Sequence, residues 1–152
     1  MTDDLGQLEA LAGSLLRNLS APQRRGLLRR MARALQQGQS RRIAAQLNPD
    51  GTPFQPRKQS AIRQQRGAVR RKAMFTALRR AKFLRSDADD TGFWVGFTGR
   101  ASRIASVHQY GLRDRPSLRT KPVAYPVRQI VGDTPAERGM LLDMLFDHIS
   151  AT

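Results

Sequence analysis

The strongest constraint in this chain of 152 residues is a long basic block between Ala10 and Ser86. The block contains one acidic residue, Asp50, against nineteen lysines and arginines, and it accounts for most of the formal net charge of +15. Like charges at this density repel one another, so a compact state requires a polyanion or an acidic protein surface close by. The nature of that partner is the main question that the sequence raises.

Three interpretations of the basic block are open. Its arginines can be solvated helix faces, they can follow a nucleic acid backbone and release counterions, or they can dock to an acidic protein surface. Sequence-specific nucleic acid binding is disfavoured, because no helix-turn-helix, zinc finger or aromatic RNA-binding motif is present. The run from Arg57 to Lys72 also lacks the interleaved aromatic residues that stack on single strands.

The bulk composition predicts one globular domain. Hydrophobic residues make up 39% of the chain, and the absence of cysteine excludes disulfides and thiolate metal sites. The acidic N-terminus lacks the basic region of a signal peptide, and no apolar run approaches the roughly 20 residues of a membrane span. We therefore expect a protein of the cytoplasm with no membrane contact.

The periodicity of apolar residues predicts a small α+β domain with N-terminal helices, a short antiparallel or mixed sheet and a C-terminal helix. Ser20 and Gln23 form a predicted capping box for a second helix that reaches Leu47, and Thr134 to Glu137 form another for the last helix. The remaining predicted elements are a turn at 48–51, a helix at 72–85, a loop at 86–90, a strand at 93–97, a short helix closed by Gly111, a basic loop at 112–122 and an extended element at 123–131. The parts are a helical segment 1–47, a basic loop or arm 52–71 and an α+β core 72–152.

The sequence contains no constellation of residues that predicts catalysis, a cofactor or a metal. Its two histidines, His108 and His148, belong to no zinc-binding pattern, and no glycine-rich phosphate loop is present. The acidic cluster Asp87, Asp89 and Asp90 lacks the glycine and distal glutamate of a calcium loop, so a solvated loop is the better interpretation. We expect a protein that is not an enzyme.

Trp94 has two possible roles. Phe93, Val95 and Phe97 alternate along the predicted strand, and Trp94 lies on the opposite face. Core packing is the ordinary role for such a residue, but tryptophan is also over-represented where subunits meet.

Several stretches of the chain resemble the virion-morphogenesis, or tail-completion, family of contractile-tailed phages and prophages, including the Mu-like phages. The stretches are IAAQ (43–46), NPDGTPF (48–54), PRK (56–58), KAMF (72–75), LR (78–79), FL (83–84), VGF (95–97), RIASVHQYG (103–111) and YPVRQIVG (125–132). They follow the order of the family and cover most of residues 40–135. The family often has tryptophan where Phe54 stands, which conserves an aromatic side chain.

The resemblance implies a structural virion protein that completes the tail or neck and joins the tail to the head. It implies a homo-oligomeric ring, usually hexameric, that contacts other tail, neck or connector proteins in the virion and assembles in the host cytoplasm. The residues of the basic arm that would contact a partner protein, or packaged DNA without sequence specificity, are Arg57, Lys58, Arg63, Arg66, Arg70, Arg71 and Lys72. The family-motif and interface candidates are Phe54, Trp94, His108, Gln109, Gly111, Tyr125, Pro126 and Arg128. His108 would make a packing or hydrogen-bonding contact, and residues 125–128 a sheet edge or an interface. The alternative function is a small phage-encoded nucleic acid-binding protein.

Overall fold

The structure, a computed structural model, describes residues 2–57 and 73–151. Within these ranges it contains four helices and four short strands, which pair in two antiparallel two-stranded sheets. The helices are α1 (Thr2–Arg17), α2 (Ala21–Ala44), α3 (Arg100–Tyr110) and α4 (Pro135–Ser150), and the strands are β1 (Leu84–Ala88), β2 (Phe93–Phe97), β3 (Arg113–Asp114) and β4 (Val123–Ala124). The predicted α+β class is confirmed.

Capping boxes begin α2 and α4 where the sequence predicts them. The backbone N–H of Ser20 donates to Gln23 Oε1 at 2.9 Å, and the backbone N–H of Gln23 donates to Ser20 Oγ at 3.4 Å. Thr134 and Glu137 make the same reciprocal pair at 2.9 and 3.1 Å. Each pair satisfies two backbone donors that a helix leaves open in its first turn, so these starts depend on local sequence alone.

The chain divides into two compact units that interleave along the sequence. Unit 1 comprises residues 1–38, 85–96 and 133–152, and unit 2 comprises residues 39–84 and 97–132. This division does not follow the predicted parts 1–47, 52–71 and 72–152. The single domain stays a prediction.

Unit 1 is built on apolar side chains from α1, α2 and α4. The buried residues are Leu19, Leu27, Leu28, Met31 and Leu145, and Leu15, Leu16, Leu141, Met144 and Ile149 pack against them. Their three- and four-residue spacing places them on one face of each helix. Each fully buried side chain of this size contributes about 1.5–3 kcal/mol of hydrophobic stabilisation.

A hairpin of β1 and β2 carries the acidic cluster in its loop. The Asp89 carboxylate accepts hydrogen bonds from the backbone N–H of Thr91 at 2.7 Å and of Gly92 at 2.9 Å. The hydroxyl of Thr91 and these backbone donors lower the pKa of Asp89. Asp89 therefore stabilises the turn that joins the two strands.

The predicted helix at 72–85 is wrong over its described part. Residues 73–83 form turns, and β1 takes the place of the predicted loop that begins at Ser86. Phe75 has a φ of 63°, a left-handed conformation that interrupts a helix. The Gln46 side chain also bonds both backbone groups of Met74, accepting from its N–H at 2.6 Å and donating to its carbonyl at 2.8 Å. A tertiary contact thus replaces the helical hydrogen bonds that the apolar spacing predicts.

The predicted extended element at 123–131 is a strand only at Val123–Ala124, where it pairs with β3. The residues that follow lie outside any strand. Pro126 has no backbone N–H to donate to a ladder, so pairing cannot continue regularly through this position.

Unit 2 has its own buried core. Its buried apolar residues are Ile43, Phe54, Met74, Phe75, Leu78, Leu84, Ala101, Ala105, Val107 and Ile130. Most of them belong to the stretches that carry the family resemblance. The residues of those stretches therefore form a large part of the core of unit 2.

Candidate functional site

Residues from three of the recognised stretches meet in unit 2 at the buried side chain of Arg128, which is 3% exposed. Its Nε donates to the Gln55 carbonyl at 2.6 Å, its Nη2 to the Pro56 carbonyl at 3.1 Å, and its Nη1 lies 3.0 Å from His108 Nδ1. The backbone N–H of Arg128 donates to the His108 carbonyl at 2.8 Å. A guanidinium holds several donors in a rigid fork, which lets one side chain connect these segments. We call Arg128 with Gln55, Pro56 and His108 the Arg128 anchor.

The Arg128 anchor determines the protonation state of His108. A guanidinium can only donate, so His108 Nδ1 must accept and the ring proton lies on Nε2. Burial, together with the positive charges of Arg128 and Arg57, lowers the pKa of His108 from 6.5 to about 4. His108 is therefore neutral at physiological pH and acts as a hydrogen-bond acceptor.

The stability of the protein should depend on pH through His108. The unfolded chain binds a proton near pH 6.5 and the folded chain only near pH 4, so the free energy of unfolding falls as the pH drops through this window. We expect a loss of about 1–3 kcal/mol, less than the full shift implies because the side chain is only half-buried. In His108→Asn the amide oxygen can accept from Arg128 without titrating, and this part of the pH dependence should disappear. Urea unfolding between about pH 4 and pH 7 measures the free energy of unfolding of the parent chain and of His108→Asn. The same pH dependence in both proteins would contradict the role of His108.

Aromatic rings extend the Arg128 anchor into a row of edge-to-face contacts. The ring centroids of Phe54 and Phe75 are 5.6 Å apart, those of Phe75 and His108 are 4.8 Å apart, and those of His108 and Tyr125 are 5.0 Å apart. All three pairs have the edge-to-face geometry that aromatic quadrupoles favour, at about 0.5–1.5 kcal/mol each. Phe54 and Tyr125, both sequence candidates, thus pack inside unit 2.

Side chains also form hydrogen bonds with the backbone of residues 125–132, a segment that we call the strap. Gln109 bonds both backbone groups of Val131, donating to its carbonyl at 2.9 Å and accepting from its N–H at 3.0 Å. The Asn48 side chain accepts from the backbone N–H of Gln129 at 2.9 Å. These amides take the place of a neighbouring strand, so the sequence candidate Gln109 has a definite structural role.

Two further residues hold the strap, and the sequence did not single them out. Arg42 is one of the arginines that surround the apolar stripe of α2 in the sequence, yet it is buried and donates to the carbonyls of Leu47 at 2.9 Å, Gln129 at 3.1 Å and Ile130 at 2.9 Å. Gln39 is 1% exposed and donates to the Gly132 carbonyl at 2.6 Å. Nothing in the local pattern distinguishes Arg42 from the neighbouring arginines of α2, because its acceptors on Gln129 and Ile130 lie 87 and 88 positions further along the chain.

The other interface candidates occupy different surroundings. Gly111 ends α3 with a left-handed φ of 64°, as predicted, and a Cβ there would lie 2.8 Å from Val127 Cγ2. Pro126 is half-buried in the strap. Trp94 lies on β2 in unit 1 with 49% of its surface exposed, and it is not part of the Arg128 anchor.

Only the first residue of the predicted contact set in the basic arm is described. Arg57 is exposed and follows directly after the two carbonyls that Arg128 holds. The other members, Lys58, Arg63, Arg66, Arg70, Arg71 and Lys72, lie outside the described residues. The Arg128 anchor therefore fixes the backbone immediately before Arg57, the first residue of the predicted contact set.

The two units differ sharply in charge. Unit 2 contains nineteen lysines and arginines against Asp50 and Asp114, whereas unit 1 contains eight against ten acidic residues. Among the described residues of unit 2, one side-chain ion pair is formed, between Arg103 and Asp114 at 2.7 Å. The excess positive charge of the whole chain is thus a property of unit 2.

The described part of the chain offers no group of histidine, aspartate and glutamate side chains that could hold a metal ion. None of its helices is both long and apolar enough to cross a membrane.

Comparison with known proteins supports the family resemblance seen in the sequence. The model of the phage virion morphogenesis family matches residues 3–150. The chain is similar to tail completion protein S of Escherichia phage P2, with 38% identity over 136 residues, which cover 89% of this chain and 90% of that protein. No solved structure matches the chain.

Proposed function

Because this chain belongs to the phage virion morphogenesis family, we propose that it is a structural subunit that completes the phage tail and joins it to the head. It acts by binding, as one copy in a ring of identical chains, and it catalyses no reaction. Its similarity to a tail completion protein over nine-tenths of both chains supports this role.

The observation that carries the proposal is the contact of Arg128 with the backbone just before Arg57, the first residue of the predicted contact set. Arg128 uses two charge-assisted hydrogen bonds to bind the Gln55 and Pro56 carbonyls. Unit 2 has almost no acidic residues of its own to compensate the arm. A basic segment that follows a fixed stretch of backbone, in a unit whose sequence has only two acidic residues, fits an acidic surface on another tail, neck or connector protein.

A second candidate function is contact between the same segment and DNA, either in the channel of the particle or as an independent DNA-binding protein. The charge of unit 2 favours it, because phosphates attract arginine without sequence specificity. Against it, residues 57–72 contain no aromatic side chain, and Phe54, Phe75 and Tyr125 are stacked within unit 2. These rings are not available to stack on bases.

Neutralising the arm tests the proposal. The test variant replaces four arginines together by glutamine: Arg63, Arg66, Arg70 and Arg71. It is supplied to a phage whose own copy of the gene is deleted, and the yield of infectious particles is measured. We expect infectious titre to fall by about 100-fold or more if four screened contacts of roughly 0.7 kcal/mol each are lost. Electron microscopy should show separate heads and tails, and the melting temperature should stay unchanged.

The matched control replaces the same four arginines by lysine, which keeps the charge, and should leave titre close to normal. Deleting residues 59–70 should block joining as the glutamine variant does. Normal numbers of infectious particles from the deletion would overturn the role of the arm. Tight DNA binding by the purified chain at physiological salt, lost in the glutamine variant, would favour the DNA-binding function instead.

A further inference from the structure

Unit 2 exposes an apolar surface beside the β3–β4 hairpin. Its members are Tyr110, Leu112, Val123 and Val127, with 69%, 46%, 39% and 55% of their surfaces exposed. We call these four residues the hairpin face. Side chains of this size rarely lie together in water without a partner.

The backbone brings these residues together. The Leu112 carbonyl accepts from the backbone N–H of Tyr125 at 3.1 Å, and Asp114 pairs with Val123 two register positions further on. Alternation along each strand therefore places Leu112 and Val123 on the same side of the hairpin. Val127 lies against Gly111, which is the residue between Tyr110 and Leu112 in the chain.

Basic residues lie in the loop beside the hairpin face. Arg115, Arg119 and Lys121 are exposed in the loop that joins β3 and β4, whereas Arg113 alternates to the other side of the hairpin from Leu112 and Val123. Asp114, the acidic residue among them, is already paired with Arg103 at 2.7 Å. Two copies of this face would repel each other, because unit 2 carries nineteen basic residues against two acidic ones.

Unit 1 exposes an apolar residue that has negatively charged neighbours, whereas the neighbours of the hairpin face are positively charged. Phe146 on α4 is 46% exposed, although the neighbouring Leu145 is buried in the core of the unit. Asp143 and Asp147 are also exposed, and Asp143 lies three residues before Phe146 and four before Asp147, so all three fall within an arc of about 100° on α4. We call these three residues the α4 face.

We propose that the hairpin face of one copy docks on the α4 face of the next copy. The inference rests on the proposed ring and identifies the contact between its subunits. Apolar side chains pack at the centre, and the arginines of the hairpin meet the aspartates of α4 at the rim. The two surfaces are different, so the contact is heterologous and repeats from copy to copy until the ring closes.

Site-directed cross-linking tests this contact, and the chain is suited to it because it has no cysteine of its own. The double variant Leu112→Cys/Phe146→Cys is treated with a short bis-maleimide at about 1 mM protein, where a contact with a millimolar dissociation constant is half occupied. We expect a series of covalent oligomers beyond the dimer. Each single variant alone should stay uncross-linked, and an equal mixture of the two should give dimers.

The matched control is Leu112→Cys/Trp94→Cys, because Trp94 is exposed to the same degree as Phe146 and also lies in unit 1. It should give no series. A series of equal length from the control, dimers from Leu112→Cys alone, or no series from the test pair would each overturn the proposed contact. Circular dichroism confirms that each variant is folded.

Charge reversal provides an independent measurement. Asp143→Lys/Asp147→Lys and Arg115→Glu/Arg119→Glu should each associate at least about tenfold more weakly than the parent chain, because like charges face each other at the rim. An equal mixture should recover association, since each reversed face then meets its complement. A mixture as weak as its components would overturn the pairing. Head–tail joining in the complementation assay reports on the proposed function separately, so the contact can fail while the tail role stands.

Discussion

Replacement of Arg42 by methionine is expected to lower the free energy of unfolding by about 3–5 kcal/mol, because several buried acceptors lose their donor at once and each costs about 1–3 kcal/mol. The guanidinium donates to the carbonyls of Leu47, Gln129 and Ile130 and to Gln39 Oε1. Methionine fills a similar volume but offers no donor. In a chain of this size the loss corresponds to a fall of about 10 °C in melting temperature.

The control for this experiment is the next residue in the chain. Arg41 is exposed on the same helix, so Arg41→Met should change the free energy of unfolding by less than about 0.5 kcal/mol. Urea unfolding followed by circular dichroism measures both variants. Equal effects at the two positions would show that the buried hydrogen bonds of Arg42 do not stabilise the strap.

Replacement of Arg128 by methionine is expected to cost about 2–4 kcal/mol, because the Gln55 and Pro56 carbonyls lose charge-assisted hydrogen bonds. Arg128→Lys should recover only part of this loss, since an ammonium group cannot reach three acceptors in the fork geometry of a guanidinium. The exposed Arg113→Met serves as the control and should be close to neutral. Thermal unfolding compares the three variants.

The Arg128 variants also allow a measurement of how far the guanidinium lowers the pKa of His108. Removing the guanidinium takes away a nearby positive charge, so the pKa of His108 should rise from about 4 towards its ordinary value of 6.5 in Arg128→Met. Titration of the His108 ring by NMR measures this pKa. A value that stays near 4 would show that burial, without the charge of Arg128, keeps His108 neutral.

The elements that could be predicted from the sequence are those whose determinants are local. Ser20 with Gln23 and Thr134 with Glu137 form their capping boxes within four residues. Gly111 ends α3 because the left-handed conformation costs glycine little. The alternation that predicts the strand at Phe93–Phe97 likewise needs no knowledge of the rest of the fold.

The elements that could not be predicted depend on contacts that are distant along the chain. The apolar spacing at 73–83 predicts a helix, but Gln46 takes up the backbone of Met74 and the segment forms turns instead. The strap lies outside any strand, and side chains rather than a neighbouring strand satisfy much of its backbone. The residue patterns of a helix and of a paired strand remain in the sequence, and tertiary hydrogen bonds override them.

The sequence by itself determined the family, the α+β class and the presence of a basic block. Only the tertiary structure decided which of its described arginines are solvated and which are buried. Arg41 and Arg42 are identical and adjacent, yet one is solvated and the other is enclosed by the carbonyls of the strap. A buried guanidinium requires acceptors from several segments at once, and no local pattern records where those segments will lie. Tertiary structure likewise gathered the excess charge into unit 2, because the two units draw on stretches that alternate along the chain.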